Sequence, residues 1–155
     1  MQGHFGGVVT PPATLVKILD RFSAFGLPIS ITEYDHDVDD EELQGNYLRD
    51  FLTVIFSHPS VINFTMWGYY DGSHWKNNTP IYRKGWSLKP SGIAFQDLVF
   101  RQWWTNAEGK TDALGECRLR GFLGDYDLTI RHEGKIRTVQ VALVKGGQTV
   151  PIRLE

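Results

Sequence analysis

Cysteine is almost missing: Cys117 is alone among 155 residues. One thiol closes no internal disulfide and builds no cysteine-based metal cluster, and it says little about redox compartment. No apolar run is long enough to cross a bilayer as a helix. The opening residues, MQGHFGGVVTPP, have neither the charged nor the apolar region of a signal peptide. That leaves two alternatives, a chain that stays in the cytoplasm or a natural N-terminus further upstream. A basic excess is lacking as well. Sixteen Lys and Arg against 18 Asp and Glu give a formal net charge of −2, which excludes the clustered positive charge of a nucleic-acid binder. Repeats and low-complexity stretches are also absent.

Aromatic residues, in contrast, are plentiful: five Trp, nine Phe and six Tyr. Large core residues account for such a supply, and so do stacking platforms for a flat ligand such as a sugar ring. The length suits one domain, or one domain with a small appendage.

Thr10–Pro11–Pro12 predicts a helix start, with a hydroxyl N-cap and proline in the first turn. Leu15, Ile18, Leu19 and Phe22 follow on one helical face, and Gly26 supplies the stop. Residues 28–35 read as a strand on which Ile29, Ile31, Glu33 and Asp35 share a face. The acidic stretch DVDDEEL (37–43) suits the positive end of a helix dipole. Leu43, Tyr47, Leu48, Phe51, Leu52 and Ile55 continue that helix, which SHP at 57–59 ends. A second strand is predicted over 61–69, a loop over 70–88, and a third helix from Pro90 through Trp104. Alternating strands and helices are the α/β signature, and the loops after parallel strands are where such folds place ligand chemistry.

After Thr105 the pattern changes. CRLRGFL, YDLTIRH, IRTVQVALV and TVPIRLE, separated by GD, EGK and KGGQ, predict short antiparallel strands. The boundary falls near residues 105–110. It separates an α/β region over residues 1–106 from a β module over residues 107–155.

Glu33 is the residue of most chemical interest. It stands at the end of a predicted inner strand, where an ionised carboxylate is costly unless paired or used. Asp39 and Asp40 read as helix-capping acids. The spacing Asp35–x–Asp37–x–Asp39 invites a calcium loop, but Asp40 and Asn46 stand where that loop needs Gly and Glu. No metal or cofactor is expected. His58 and His132 read as structural or surface residues. Trp67, Tyr69, Tyr70 and Trp75 together suggest a stacking wall, although each alone reads as packing.

QGH at 2–4, LPISITEYD at 27–35 and MWGYYDGSHW at 66–75, in that order with helices between, resemble glycoside hydrolase family 10. FSHPSV at 56–61 and DLVFRQWWT at 97–105 resemble bacterial members, and GFLGDYDLTI at 121–130 resembles a small β module that some members carry. The resemblance covers nearly the whole chain. It implies retaining endo-β-1,4-xylanases on a (β/α)8 TIM barrel, of which this chain holds the sixth to eighth strand–helix units. It further implies Glu33 as nucleophile, with His4 and Asp35 hydrogen-bonded around it. By the same resemblance, Gln2 matches a polar residue near the sugar at the reaction centre, Trp67 matches the aromatic floor beneath that sugar, and Trp75 matches the tryptophan that closes over it. The family's acid/base glutamate, on the fourth strand near an Asn-Glu pattern, has no counterpart here. The resemblance therefore implies a fragment that binds xylan or xylo-oligosaccharides, lacks its own second carboxyl group, and has the missing N-terminal barrel segment as a possible partner. It also implies export of the parent protein to the cell exterior. The β module reads either as a packing appendage or as a carbohydrate binder.

Overall fold

The computed structural model describes residues 1–76 and 78–154. The chain divides into two compact units, Met1–Phe100 and Arg101–Glu155. The first contains β1 (Gln2–Phe5), α1 (Pro12–Ser23), β2 (Ile29–Ile31), β3 (Glu33–His36), α2 (Glu41–Ser57), β4 (Val61–Phe64) and α3 (Pro90–Asp97). β1 pairs with β3 and β2 pairs with β4, both in parallel. Since β2 and β3 are two halves of one run, three neighbouring strand runs result, joined by crossover helices as parallel pairing requires.

The helices start and stop for local reasons. The Asp40 side chain caps α2 by accepting from the Leu43 amide at 3.0 Å, and Glu41 and Glu42 fill its first turn. His58 ends it in an extended conformation before Pro59. α1 begins without a side-chain cap: its N-cap is Pro11 rather than Thr10, and Gly26, at φ 70°, carries the chain out of the helix. α2 presents Tyr47, Leu48, Phe51, Leu52 and Ile55 to the core. Phe51 packs against Phe5, Tyr34 and Phe64 from three strands, with ring centroids 5.4, 4.9 and 6.2 Å away.

The alternation expected over 29–35 does not run through. The run breaks at Thr32, whose amide turns to the Met1 carbonyl at 3.0 Å. Ile31 pairs with Phe64, which packs on Tyr34 at 5.6 Å, so Ile31 lies on the Tyr34 side. Glu33 and Asp35 point the other way. One irregular residue thus gives buried isoleucines toward the helices before Thr32 and carboxylates toward the opposite face after it. The strand expected over 61–69 ends at Phe64. The helix from Pro90 changes at Leu98 to a π-helical turn, Leu98–Gln102, and stops before Trp103 and Trp104. Phe95 and Phe100, five residues apart, meet edge to face at 6.2 Å, a spacing that suits i→i+5 bonding.

Residues 70–76 and 78–89 are sewn down by buried polar groups. Lys89, fully buried, reaches Asp71 Oδ2 at 2.8 Å and Asn78 Oδ1 at 2.8 Å. Asn78 donates to the Val38 carbonyl, and Gln44 of α2 donates to the carbonyls of His36 and Asn78. A Cβ on Gly45 would lie 2.9 Å from the Pro90 carbonyl carbon, so α2 and the start of α3 touch backbone to backbone.

The second unit has, among its described residues, one antiparallel hairpin, β5 (Gly124–His132) with β6 (Lys135–Leu143). Glu133 and Gly134, at φ 48° and 78°, form its two-residue turn, the primed geometry that matches strand twist. Tyr126 and Leu128 pair with Val141 and Val139 on a half-buried face. CRLRGFL forms no strand, nor does the described stretch of TVPIRLE; Glu155 lies outside the described residues. Phe122 is instead held by two side chains, its amide on Thr105 Oγ1 at 3.1 Å and its carbonyl accepting from the Tyr126 hydroxyl at 2.6 Å.

Candidate active site

The parallel register of β1 and β3 sets Gln2 beside Glu33 and His4 beside Asp35. Paired residues on parallel strands point to the same side, so four polar side chains converge on one face. Glu33 Oε1 accepts from Gln2 Nε2 at 3.0 Å, and its Oε2 meets His4 Nε2 at 3.1 Å. The other ring nitrogen, His4 Nδ1, stands 2.9 Å from Asp35 Oδ2, a close contact outside good hydrogen-bond angles. His4 therefore sits between two carboxylates.

Burial differs sharply across the cluster. Asp35 is 2% exposed, whereas the Glu33 side chain keeps 19%. The buried acid is the more enclosed, and the accessible one has room for a reacting partner. On the opposite face, burial first, then neighbouring Tyr47 and Asp35, hold the Tyr34 phenol well above its ordinary range. Burial also lowers the pKa of His36, against the raising effects of the Gly6 carbonyl, Asp35 and Asp37.

The aromatic residues are placed unequally. Trp67 follows β4, its amide bonded to the Tyr34 carbonyl at 2.9 Å, and its ring meets the His4 ring edge to face at 6.4 Å. It is 49% exposed and so keeps surface beside the carboxylates. Trp75, 72% exposed, stacks on His74 at 6.3 Å. Among the described residues its link to the cluster runs through Lys76, which lies 4.9 Å over its ring and 3.3 Å from Asp35 Oδ1. Tyr69 is exposed. Tyr70 does not join a wall with these residues: its face is covered by Trp86, stacked at 4.1 Å and 9°. His58 is buried against Asp20 at 3.3 Å, and His132 is exposed. No group of acids, histidines or cysteines among the described residues is arranged to hold a metal.

Sequence reasoning missed Lys76, Lys89, Asn78 and Gln44. Lone polar residues in a loop or on a helix have no periodicity to betray them. The one available signal was Lys76 directly following Trp75.

The family model described as glycosyl hydrolase family 10 matches residues 1–92. Anti-sigma-I factor RsgI6 of Acetivibrio thermocellus is 39% identical over 137 residues, 87% of this chain and 18% of that protein. Endo-1,4-beta-xylanase 3 of Arabidopsis thaliana is 28% identical over 155 residues, all of this chain and 20% of the relative. Both relatives are thus far longer than the chain. The solved structure of xylanase 10B from Thermotoga petrophila, in complex with xylobiose, superposes with a TM-score of 0.59 at 21% identity. That superposition covers 65% of this chain and 35% of the other. The likeness shows the fold of a portion of a TIM barrel. With the family match spanning more than half of its residues, this chain belongs to glycosyl hydrolase family 10.

Proposed function

We propose that the chain carries the nucleophile side of a retaining endo-β-1,4-xylanase site, on the sixth to eighth units of the barrel. The observation that carries this reading is the His4 ring held between Glu33 and Asp35, at 3.1 and 2.9 Å. Glu33 attacks the anomeric carbon of a xylosyl residue as the bond to the leaving oxygen breaks, giving a covalent glycosyl-enzyme. Gln2 and His4 orient its two oxygens, and Asp35 orients His4. Trp67 supplies an apolar surface beside the reacting sugar, and Trp75 covers it from the loop. A retaining enzyme needs a second carboxyl group roughly 5–5.5 Å from the first, to protonate the leaving oxygen and later activate water. Asp35 is engaged by His4 and Lys76, and Asp37 lies 3.8 Å from Lys76. On this reading the acid/base comes from barrel units outside this sequence. Alone, the chain hydrolyses little or no xylan. Because xylan lies outside cells, the parent protein acts extracellularly.

The test is complementation. The chain is co-expressed with the first five units of a family 10 xylanase, and xylan hydrolysis is assayed. Activity is expected with the natural chain and is lost by roughly 10⁴-fold or more in Glu33→Ala. Azide should then restore turnover of an activated aryl xylobioside, with the azide product inverted at the anomeric carbon. Undiminished activity in Glu33→Ala refutes the assignment.

A second reading draws on the 39% identity to an anti-sigma-I factor: a sugar-recognising region of a larger protein that does no hydrolysis. Xylohexaose binding by the chain, seen in tryptophan fluorescence, with no turnover in any complemented form, favours this alternative.

A further inference from the structure

β3 points Glu33 and Asp35 to one side, and Asp37, the residue after the strand ends, follows at the next alternate position. Two nitrogen-bearing side chains insert between them from different elements. His4 enters from β1 between Glu33 and Asp35. Lys76 enters from the loop after β4, with Nζ 3.3 Å from Asp35 Oδ1 and 3.8 Å from Asp37 Oδ2. The buried Asp35 carboxylate therefore has a different partner on each oxygen. A carboxylate held on one oxygen only is free to turn about its terminal torsion, which is broad and soft. With Lys76 on Oδ1, Oδ2 is fixed toward His4 Nδ1, and His4 in turn presents Nε2 to Glu33.

The same ammonium lies 4.9 Å over the Trp75 ring, within cation–π range. The loop around it is closed locally. The Lys76 amide donates to His74 Nδ1 at 3.1 Å, and Thr79 Oγ1 lies 2.9 Å from that nitrogen. Trp75 is otherwise largely in solvent, with His74 as its neighbouring ring. One side chain thus touches both the exposed indole and the most buried acid of the cluster.

We infer that Lys76 is a positioning residue that locks the loop tryptophan Trp75 and the Glu33–His4–Asp35 cluster into a single unit. Displacement of Trp75 from its place releases Asp35 Oδ1 and loosens the orientation of Glu33 through His4. The catalytic consequence rests on Glu33 being the nucleophile for a β-linked xylosyl residue. The mechanical link does not.

The test uses the whole 155-residue chain, labelled with ¹⁵N, and reads two resonances near neutral pH and low temperature. One is a low-field, slowly exchanging ring N–H of His4; the other is the Trp75 indole N–H. In Lys76→Met, which keeps the stem and removes the charge, the His4 resonance is expected to vanish into exchange with water. The Trp75 resonance is expected to move toward the position of a free indole. Lys76→Arg keeps both a donor and a cation over the ring and should restore both signals. Circular dichroism at 222 nm confirms that each variant is folded. A His4 signal that persists in folded Lys76→Met overturns the inference, as does its absence from the natural chain. If Lys76→Met behaves as expected but Glu33→Ala leaves complemented activity intact, the link stands and the nucleophile assignment falls. The converse result removes the link alone.

Discussion

Lys89 offers the sharpest test of how the loop over the site is held. Its ammonium is fully buried and touches Asp71, itself nearly buried, at 2.8 Å and Asn78 at 2.8 Å. Lys89→Met keeps the stem volume but leaves Asp71 without its cation. Breaking a buried pair from one side costs about 3–5 kcal/mol, because the remaining charge is stranded. The urea dependence of small proteins is about 1–3 kcal/mol per molar, so the midpoint should fall by roughly 2 M. Far-UV circular dichroism at 222 nm is the right probe, since α1, α2 and α3 all lie in the first unit and the two units need not unfold together. The double variant Lys89→Met/Asp71→Leu removes both charges. Replacing a whole pair by apolar groups is often neutral or better, while Asn78 Oδ1 loses a donor at about 1–3 kcal/mol. More than half of the lost stability should therefore return. High salt should leave the single variant's deficit unchanged, as buried charges are poorly screened. A deficit below about 1 kcal/mol in Lys89→Met, or a double variant no more stable than the single, refutes the reasoning.

Three further outcomes are expected. Gly45→Ala gains about 1 kcal/mol of helix propensity but forces a methyl to within 2.9 Å of the Pro90 backbone; with overpacking costing about 1–3 kcal/mol, thermal unfolding should show a net loss, and a gain in stability contradicts the close α2–α3 contact. His36 has its folded-state pKa lowered by burial, so the unfolded chain takes up a proton first as pH falls below about 6.5. Stability linked to His36 is thus full above that pH and lost on descent through the lower folded value; the urea midpoint should fall less between pH 7.5 and 5 in His36→Gln than in the natural chain, and parallel declines count against it. Trp67→Ala should weaken xylo-oligosaccharide binding by up to about tenfold, an aromatic contact's share, in a titration calorimeter, whereas an unchanged affinity removes Trp67 from the sugar contact.

The regions of the fold that were readable are those with a repeating physical demand. α2 announces itself because Tyr47, Leu48, Phe51, Leu52 and Ile55 recur at helical spacing after an acidic start. The turn was readable at EGK (133–135), where Gly134 supplies a positive φ, and the structure tightens it to the two residues Glu133 and Gly134. The break at Thr32 was not readable. ISITEYD alternates correctly as letters, and one irregular residue reverses its faces without changing composition. The flanking segments of the second unit failed for a related reason. CRLRGFL has the alternation of a strand, yet Phe122 is held by a side-chain hydroxyl from Thr105 and by Tyr126, contacts that no local pattern encodes.

The candidate site divides along the same line. Glu33 was readable as a carboxylate at a strand end and Asp35 as its neighbour on that face, whereas Gln2 and His4 entered only through the family resemblance, and it is the parallel register of β1 and β3 that sets them beside those acids. The loop contribution was not readable, because Lys76 reaches Asp35 across 41 positions of sequence. Its ammonium goes there for an electrostatic reason: β3 carries two acids on one face with Asp37 just beyond its end, and one histidine does not compensate them all. A strand with that charge pattern, in a fold that buries Asp35, demands a cation from somewhere outside it. The sequence therefore held the demand in plain view, while only the folded loop could say which residue meets it.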